Sequence, residues 1–247
     1  MISGIYTTLI YQPLYNGLVL LIDTIPWADA GVVVIIFTII VKLFLFPLSK
    51  KAVKTQIQMK AIEPELAALK ERYKNDKQEL ARKQMDLYKE RGIRPFVSVL
   101  LIFIQIPIII ALYRVFLHSG LPKINTDLLY SFIHVPDFVS MIFLNFIDIS
   151  QKSPSLALLV GITTFLQSKI VMPNKPKNSN LDGKISIKEE FAKNMHLQMR
   201  YFLPVILTFV AFGFPAVVSL YWVTSNLFTI GQELFLKRVR KNTTLVS

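Results

Sequence analysis

Four long apolar stretches, separated by charged or turn-rich segments, organise this chain: Ala30–Leu48, Pro95–Leu117, Pro154–Met172 and Tyr201–Leu236. Each of the first three is about as long as a helix needs to be to cross a bilayer. The fourth has 36 residues. As one helix it would extend ~54 Å, well beyond a hydrocarbon core of ~30 Å. Gly213-Phe214-Pro215 divides it, since Gly and Pro end helices. The pattern therefore predicts five transmembrane helices, over residues 30–48, 95–117, 154–172, 201–213 and 215–236. The fourth helix is short, so it must tilt little, thin the bilayer or leave its loop below the headgroups.

The first 29 residues form a separate segment. Ile5–Ile22 is apolar, but Gln12, Pro13 and Asn16 interrupt it, and it lacks the basic start and small-x-small cleavage site of a signal sequence. Leu14, Leu18, Leu21 and Ile22 share one helical face, which favours a helix lying in the outer interface. A sixth span and a trimmed precursor are the alternatives.

Residues 49–94 are charged yet periodic. Met59, Ile62, Leu66, Leu69 and Tyr73 recur at spacing 3, 4, 3, 4, the seam of a helix pair. Asn75-Asp76 breaks the pattern, Asp76-x-x-Glu79 reads as a capping box, and Leu80, Leu87 and Tyr88 give the next helix its own apolar face. The expectation is an antiparallel helical hairpin outside the membrane, acting either as a solvated spacer or as a docking arm for a ribosome or targeting factor. Its charge is mixed, so DNA binding is not signalled.

Composition agrees with a membrane protein: the chain is 53% hydrophobic, with a mean hydropathy of +0.47. It has no cysteine, which excludes disulfides, thiolate metal sites and cysteine nucleophiles. Its 28 Lys and Arg residues set the orientation. Residues 1–30 have none, 49–94 have thirteen, 118–153 have only Lys123 and Lys152, 173–200 have six and 237–247 have four. The N-terminus and the 118–153 segment are thus expected outside. The hairpin, the 173–200 loop and the 237–247 tail are expected in the cytoplasm.

Against this background the polar residues inside the spans stand out. Lys42 lies in an apolar run whose other polar side chain is Thr38, and no acidic residue of that run neutralises it. An ammonium there costs roughly 2.5–3.5 kcal/mol on insertion scales. The charge must therefore reach water, a partner on another helix, or a partner brought by a substrate, unless it snorkels to the interface near Ser49. Ser98 and Gln105 share a face of the second span, and Thr163 and Gln167 a face of the third. Ser219, Trp222, Asn226, Thr229 and Glu233 form a stripe along the last. Interhelical hydrogen bonds and a wet cavity open to the cytoplasm both account for such stripes. No nucleophile, metal-ligand or phosphate-loop motif is present, so neither an enzyme nor a cofactor is expected.

Several phrases together resemble the YidC family of membrane protein insertases over about Tyr11–Arg238: IIVKLFLFPL at 39–48, MKAIEPELAALKERYKND at 59–76, IQIPIIIALY at 104–113, MRYFLPVILTFVAFGFPA at 199–216 and LYWVTSNLFTIGQE at 220–233. The resemblance implies an all-α integral membrane protein of the bacterial plasma membrane. Five transmembrane helices would surround a hydrophilic groove open to cytoplasm and lipid and closed outside. It also implies that Lys42 is the groove's basic residue, at a position more usually Arg in bacteria. Lysine supplies the charge without a bidentate fork. Gln105, Gln167, Trp222 and Asn226 fall at groove positions, with Ser98 and Ser219 on the same polar stripes. Nascent membrane proteins and lipid are the implied partners, with a ribosome, Sec translocon or targeting factor beside them. A small transporter or channel using the same stripes is the rival reading, and an assembly scaffold acting through the hairpin is a third.

Overall fold

The computed structural model describes residues 2–116, 121–171 and 198–244. Within them the helices are α1 (Ile2–Tyr6), α2 (Gln12–Thr24), α3 (Ala30–Phe44), α4 (Phe46–Ala61), α5 (Glu63–Arg72), α6 (Lys77–Glu90), α7 (Phe96–Arg114), α8 (Pro154–Val171), α9 (Leu203–Gly213) and α10 (Ala216–Thr244). A π turn, Thr7–Tyr11, joins α1 to α2. Two short strands, β1 (Ile142–Phe143) and β2 (Ile147–Asp148), pair antiparallel. Among the described residues the protein is all-α apart from this hairpin, as fits a membrane protein. Gly4–Thr24 and Pro154–Val171 are each long and apolar enough to cross a membrane, and Ala30–Phe44 with Phe46–Met59 qualifies as a bent pair.

The expected break after Gly213 is present: α9 ends there and α10 starts at Ala216. Pro215 cannot donate to a continuing helix but suits the entry to a new one. Two boundaries differ from the sequence reading. The first apolar helix stops at Phe44, and Phe46, Pro47 and Leu48 open α4 instead. Pro47 lacks the N–H that would extend α3, whereas the first turn of a helix accepts proline. At the other end α10 runs past Leu236 to Thr244, where its basic residues oppose the negative end of the helix dipole.

The chain divides into two compact units, Met1–Lys42 with Ile110–Ser247, and Leu43–Ile109. In the second unit Met59, Ile62, Leu66 and Leu69 of the expected seam pack together, and Tyr73 is not part of that cluster. Ile62, Leu87 and Ile93 form a buried core, with Met59, Leu66, Leu69 and Tyr88 packed on it. Each fully buried aliphatic side chain contributes roughly 1.5–3 kcal/mol. The Asp76 carboxylate accepts from the backbone N–H groups of Gln78 (3.1 Å) and Glu79 (3.0 Å), so it caps α6. Glu79 pairs with Arg82 and Lys83. Gly92, at φ +62°, closes α6. The Gly92 N–H donates to Lys89 O and the Ile93 N–H to Tyr88 O, a helix stop that needs the left-handed conformation glycine adopts freely. Glu65 and Arg91 tie α5 to the end of α6 at 2.9 and 3.0 Å.

In the first unit α8 packs against both α9 and α10. Gly161 allows the closer of these contacts: a Cβ there would collide with the Thr208 hydroxyl. The segment between α7 and α8 is held at several points. The Asn16 amide donates to Leu128 O (2.7 Å) and accepts from the Tyr130 N–H (2.7 Å). Gln12 donates to the same carbonyl, and the Tyr15 hydroxyl accepts from the Asn125 N–H. The buried face of the N-terminal segment is Tyr11, Tyr15, Asn16, Leu18, Val19 and Ile22; it keeps Leu18 and Ile22 of the expected Leu14, Leu18, Leu21 and Ile22 face, while Leu14 and Leu21 are half-buried.

Candidate functional site

Lys42 stands in the last turn of α3. Thr38, Val34 and Gly31 precede it by four, eight and eleven residues, spacings that bring all four to one side of the helix. Those three are buried. Lys42 therefore continues the face that α3 turns toward protein, and it is itself half-buried. Among the described residues no carboxylate or hydrogen-bond acceptor pairs with its ammonium. Burial along α3 also changes with position. Val34 is 0% exposed and Phe37 7%, whereas Ile40 is 48%, Leu43 58% and Phe44 83%. Ala216–Tyr221, the first turns of α10, are likewise buried; further along, one face of α10 stays buried at Thr224, Ser225, Asn226, Gln232, Glu233 and Leu236, while Leu227 and Leu234 are exposed. The helix ends next to the 121–153 segment are thus closed by packing.

The stripe on α10 is split between two roles. The Asn226 amide nitrogen, buried, donates to Thr163 Oγ1 (3.1 Å) and Thr164 Oγ1 (2.9 Å), so it clasps α10 to α8. The Ser219 hydroxyl is buried and without a partner among the described residues. Thr229 bonds within its own helix, to Ser225 O. Trp222 is half-buried and packs on Ala157, Val160 and Ala211. Gln167 is half-buried on α8, with no hydrogen bond among the described residues. Near the basic end, Glu233 lies 3.7 Å from Lys237 Nζ, which also caps α8 by donating to Ile170 O at 2.5 Å. On α7, Gln105 is half-buried, and it belongs to the second unit. The side chain of Ser98 lies outside the described ones.

Sequence reasoning missed three features. Thr164 is a second acceptor for Asn226. Asp29 caps α3 through Oδ1 to the Val32 N–H and accepts from the Leu144 N–H through Oδ2; its place before an apolar helix was a capping signal. Arg114 lies over the Tyr6 ring, 5.8 Å from its centroid, a contact between positions that no local pattern links.

A helical membrane protein with a lone lysine on a protein-facing helix side and a polar clasp between spans is what this architecture defines. The model of the family described as 60Kd inner membrane protein matches residues 22–243. A membrane protein insertase YidC of Oceanobacillus iheyensis is 30% identical over 242 residues, covering 96% of this chain and 85% of that one. A protein of the same name from Francisella tularensis subsp. novicida is 34% identical over 211 residues, covering 84% of this chain and 32% of its own, longer one. The chain belongs to the YidC family of 60Kd inner membrane proteins.

Proposed function

We propose that this chain inserts and folds newly made integral membrane proteins, without covalent chemistry, through a hydrophilic groove that presents Lys42. The observation that carries the reading is that Lys42 extends a buried helix face yet has no anionic partner among the described residues. A substrate segment carrying Asp or Glu would supply that partner. In a partly desolvated groove the attraction exceeds that in bulk water. Burial of the substrate's apolar segment in lipid, at roughly 25 cal/mol per Å², then favours release.

The groove's closed outer end is supported by the burial of Val33, Val34, Phe37 and Thr38 and of Ala216 to Tyr221; its opening to the cytoplasm follows from the family reading. Trp222 and Gln167 are assigned to substrate contact from α10 and α8, and Gln105 and Ser98 from α7 by sequence pattern alone. Asn226 we assign to holding the wall through its clasp on α8, with Ser219 on the same stripe.

Five spans, built on α3, α7, α8, α9 and α10, belong to the proposal, with the N-terminus outside and the C-terminus in the cytoplasm of a bacterial cell. Residues 1–29 would line the outer interface. The α4–α6 hairpin is the docking arm for a ribosome, Sec translocon or targeting factor. Photo-crosslinkers at positions 42 and 222 test the reading. They are expected to capture nascent membrane proteins, and capture from lipid-facing Leu158 but from neither of these would contradict it.

A further inference from the structure

The segment between α7 and α8 carries apolar side chains that the fold leaves uncovered. Phe146 is 89% exposed, and Trp27 and Phe138 are 79% each; Phe132 and Leu144 are exposed as well. From Leu128 to Ile147 the sequence has one charged residue, Asp137, with His neutral. A contiguous apolar display of this kind in water is an association liability, so it marks a surface with an occupant.

Where the display sits follows from its hydrogen bonds. The Leu144 N–H donates to Asp29 Oδ2 (3.0 Å), and the Ala30 N–H to Ser140 O (2.9 Å). The Phe143 ring lies against Gly31, where an added Cβ would come within 2.7 Å of its Cγ. The β1–β2 hairpin therefore rests on the first turn of α3, with Trp27 just before that turn. At its other end the Val217 N–H donates to Ile149 O (3.0 Å) and the Ala216 N–H to Gln151 O (2.7 Å), which ties the same segment to the first turn of α10. Both attachments are at helix starts, where the apolar runs begin. The hairpin is thereby held at the level where the spans leave the hydrocarbon.

Its turn is built for display. Leu144 and Asn145 both have positive φ, 50° and 62°. A leucine in that region is disfavoured relative to the right-handed one, because its Cβ crowds the following carbonyl. Strain of this kind persists where the surrounding structure enforces it, and it is a pointer to function. Here the turn brings exposed Leu144 and Phe146 to the tip.

We propose that the β1–β2 hairpin, with Trp27 and Phe138, is seated in the headgroup layer of the bilayer that α3 and α10 cross. Aromatic side chains favour that layer because one part of the ring is apolar while its edge tolerates water. The inference rests on the membrane reading of the spans. The hairpin acts as a depth stop, holding the outer ends of α3 and α10 at a fixed level.

The absence of cysteine makes single-site labelling clean. Spin labels on F146C, F138C, D127C and L158C would be read in liposomes of phosphatidylethanolamine and phosphatidylglycerol. Collisions with oxygen, which concentrates in lipid, are compared with those of a water-soluble nickel chelate. The proposal expects the oxygen-to-nickel accessibility ratio at 146 and 138 to lie between those of 127 and 158, with 127 favouring nickel and 158 favouring oxygen several-fold. It is overturned if 146 and 138 match 127, because the hairpin then stands in water. It is equally overturned if both are shielded from both reagents, because protein then covers them. Loss of oxygen access at 158 would overturn the membrane placement of α8 itself, a failure distinguishable from that of the hairpin.

Discussion

The Asn226 amide nitrogen reaches Thr164 Oγ1 at 2.9 Å and Thr163 Oγ1 at 3.1 Å, so one side chain of α10 holds two neighbouring hydroxyls of α8. Thr163 passes its own hydrogen to Leu159 O at 2.7 Å, within its helix. The donor and acceptor roles are thus consistent along the chain of bonds. A polar residue of an apolar helix has here become a joint between two helices, whereas Lys42 has no hydrogen-bonding or ionic partner among the described residues.

Replacing Asn226 by Leu removes the clasp while keeping the same number and branching of side-chain heavy atoms. The expected loss is about 1 kcal/mol, in the range measured for interhelical bonds in membranes, read as a lower unfolding midpoint in detergent. Insertion should fall only as far as stability does. A variant that is fully stable but loses crosslinking to substrate would place Asn226 in direct contact with passengers instead.

Gly161→Ala puts a methyl group against Thr208 across the α8–α9 contact. Overpacking of this kind costs about 1–3 kcal/mol. Adding Thr208→Ala should recover much of that loss, because the colliding hydroxyl is then absent. Thermal unfolding of the two single variants and the double variant measures the coupling, and strictly additive effects would show that the contact is not tight.

Asn16→Ala strands the Tyr130 N–H and withdraws one of the donors to Leu128 O. Leaving a buried polar group unsatisfied costs about 1–3 kcal/mol. Limited proteolysis between Asn125 and Tyr130 should accelerate in the variant by roughly ten-fold or more for each 1.4 kcal/mol lost. Unchanged cleavage would mean that this joint does not hold the segment.

Much of the local architecture was legible because its causes are local. Gly213 and Pro215 end and start helices through their own backbone chemistry, Asp76 caps α6 three residues ahead, and the Ile62–Leu69 seam needs only a neighbouring helix to meet. What escaped the sequence reading depends on distant partners. Asn16 looked like an interruption of an apolar run, since its acceptor is 112 residues away. The Asp29–Leu144 bond spans 115 residues, so half of that carboxylate's work was invisible. Of the helix face counted from the leucines, Leu18 and Ile22 are buried, and Tyr11, Tyr15, Asn16 and Val19 join them because of what packs there. The polar stripe on α10 was visible in the sequence, but that Asn226 clasps α8 while Trp222 packs on Ala157, Val160 and Ala211 depends on residues of other helices.

The most direct test of the account is insertion of a substrate with an acidic extracytoplasmic segment, measured in cells depleted of their own insertase and supplied with K42A or K42R. The charge is expected to matter and the fork geometry not, so K42R should support insertion near the level of the parent chain and K42A should lower it several-fold at equal expression. Equal insertion by the two variants would contradict a working charge at position 42.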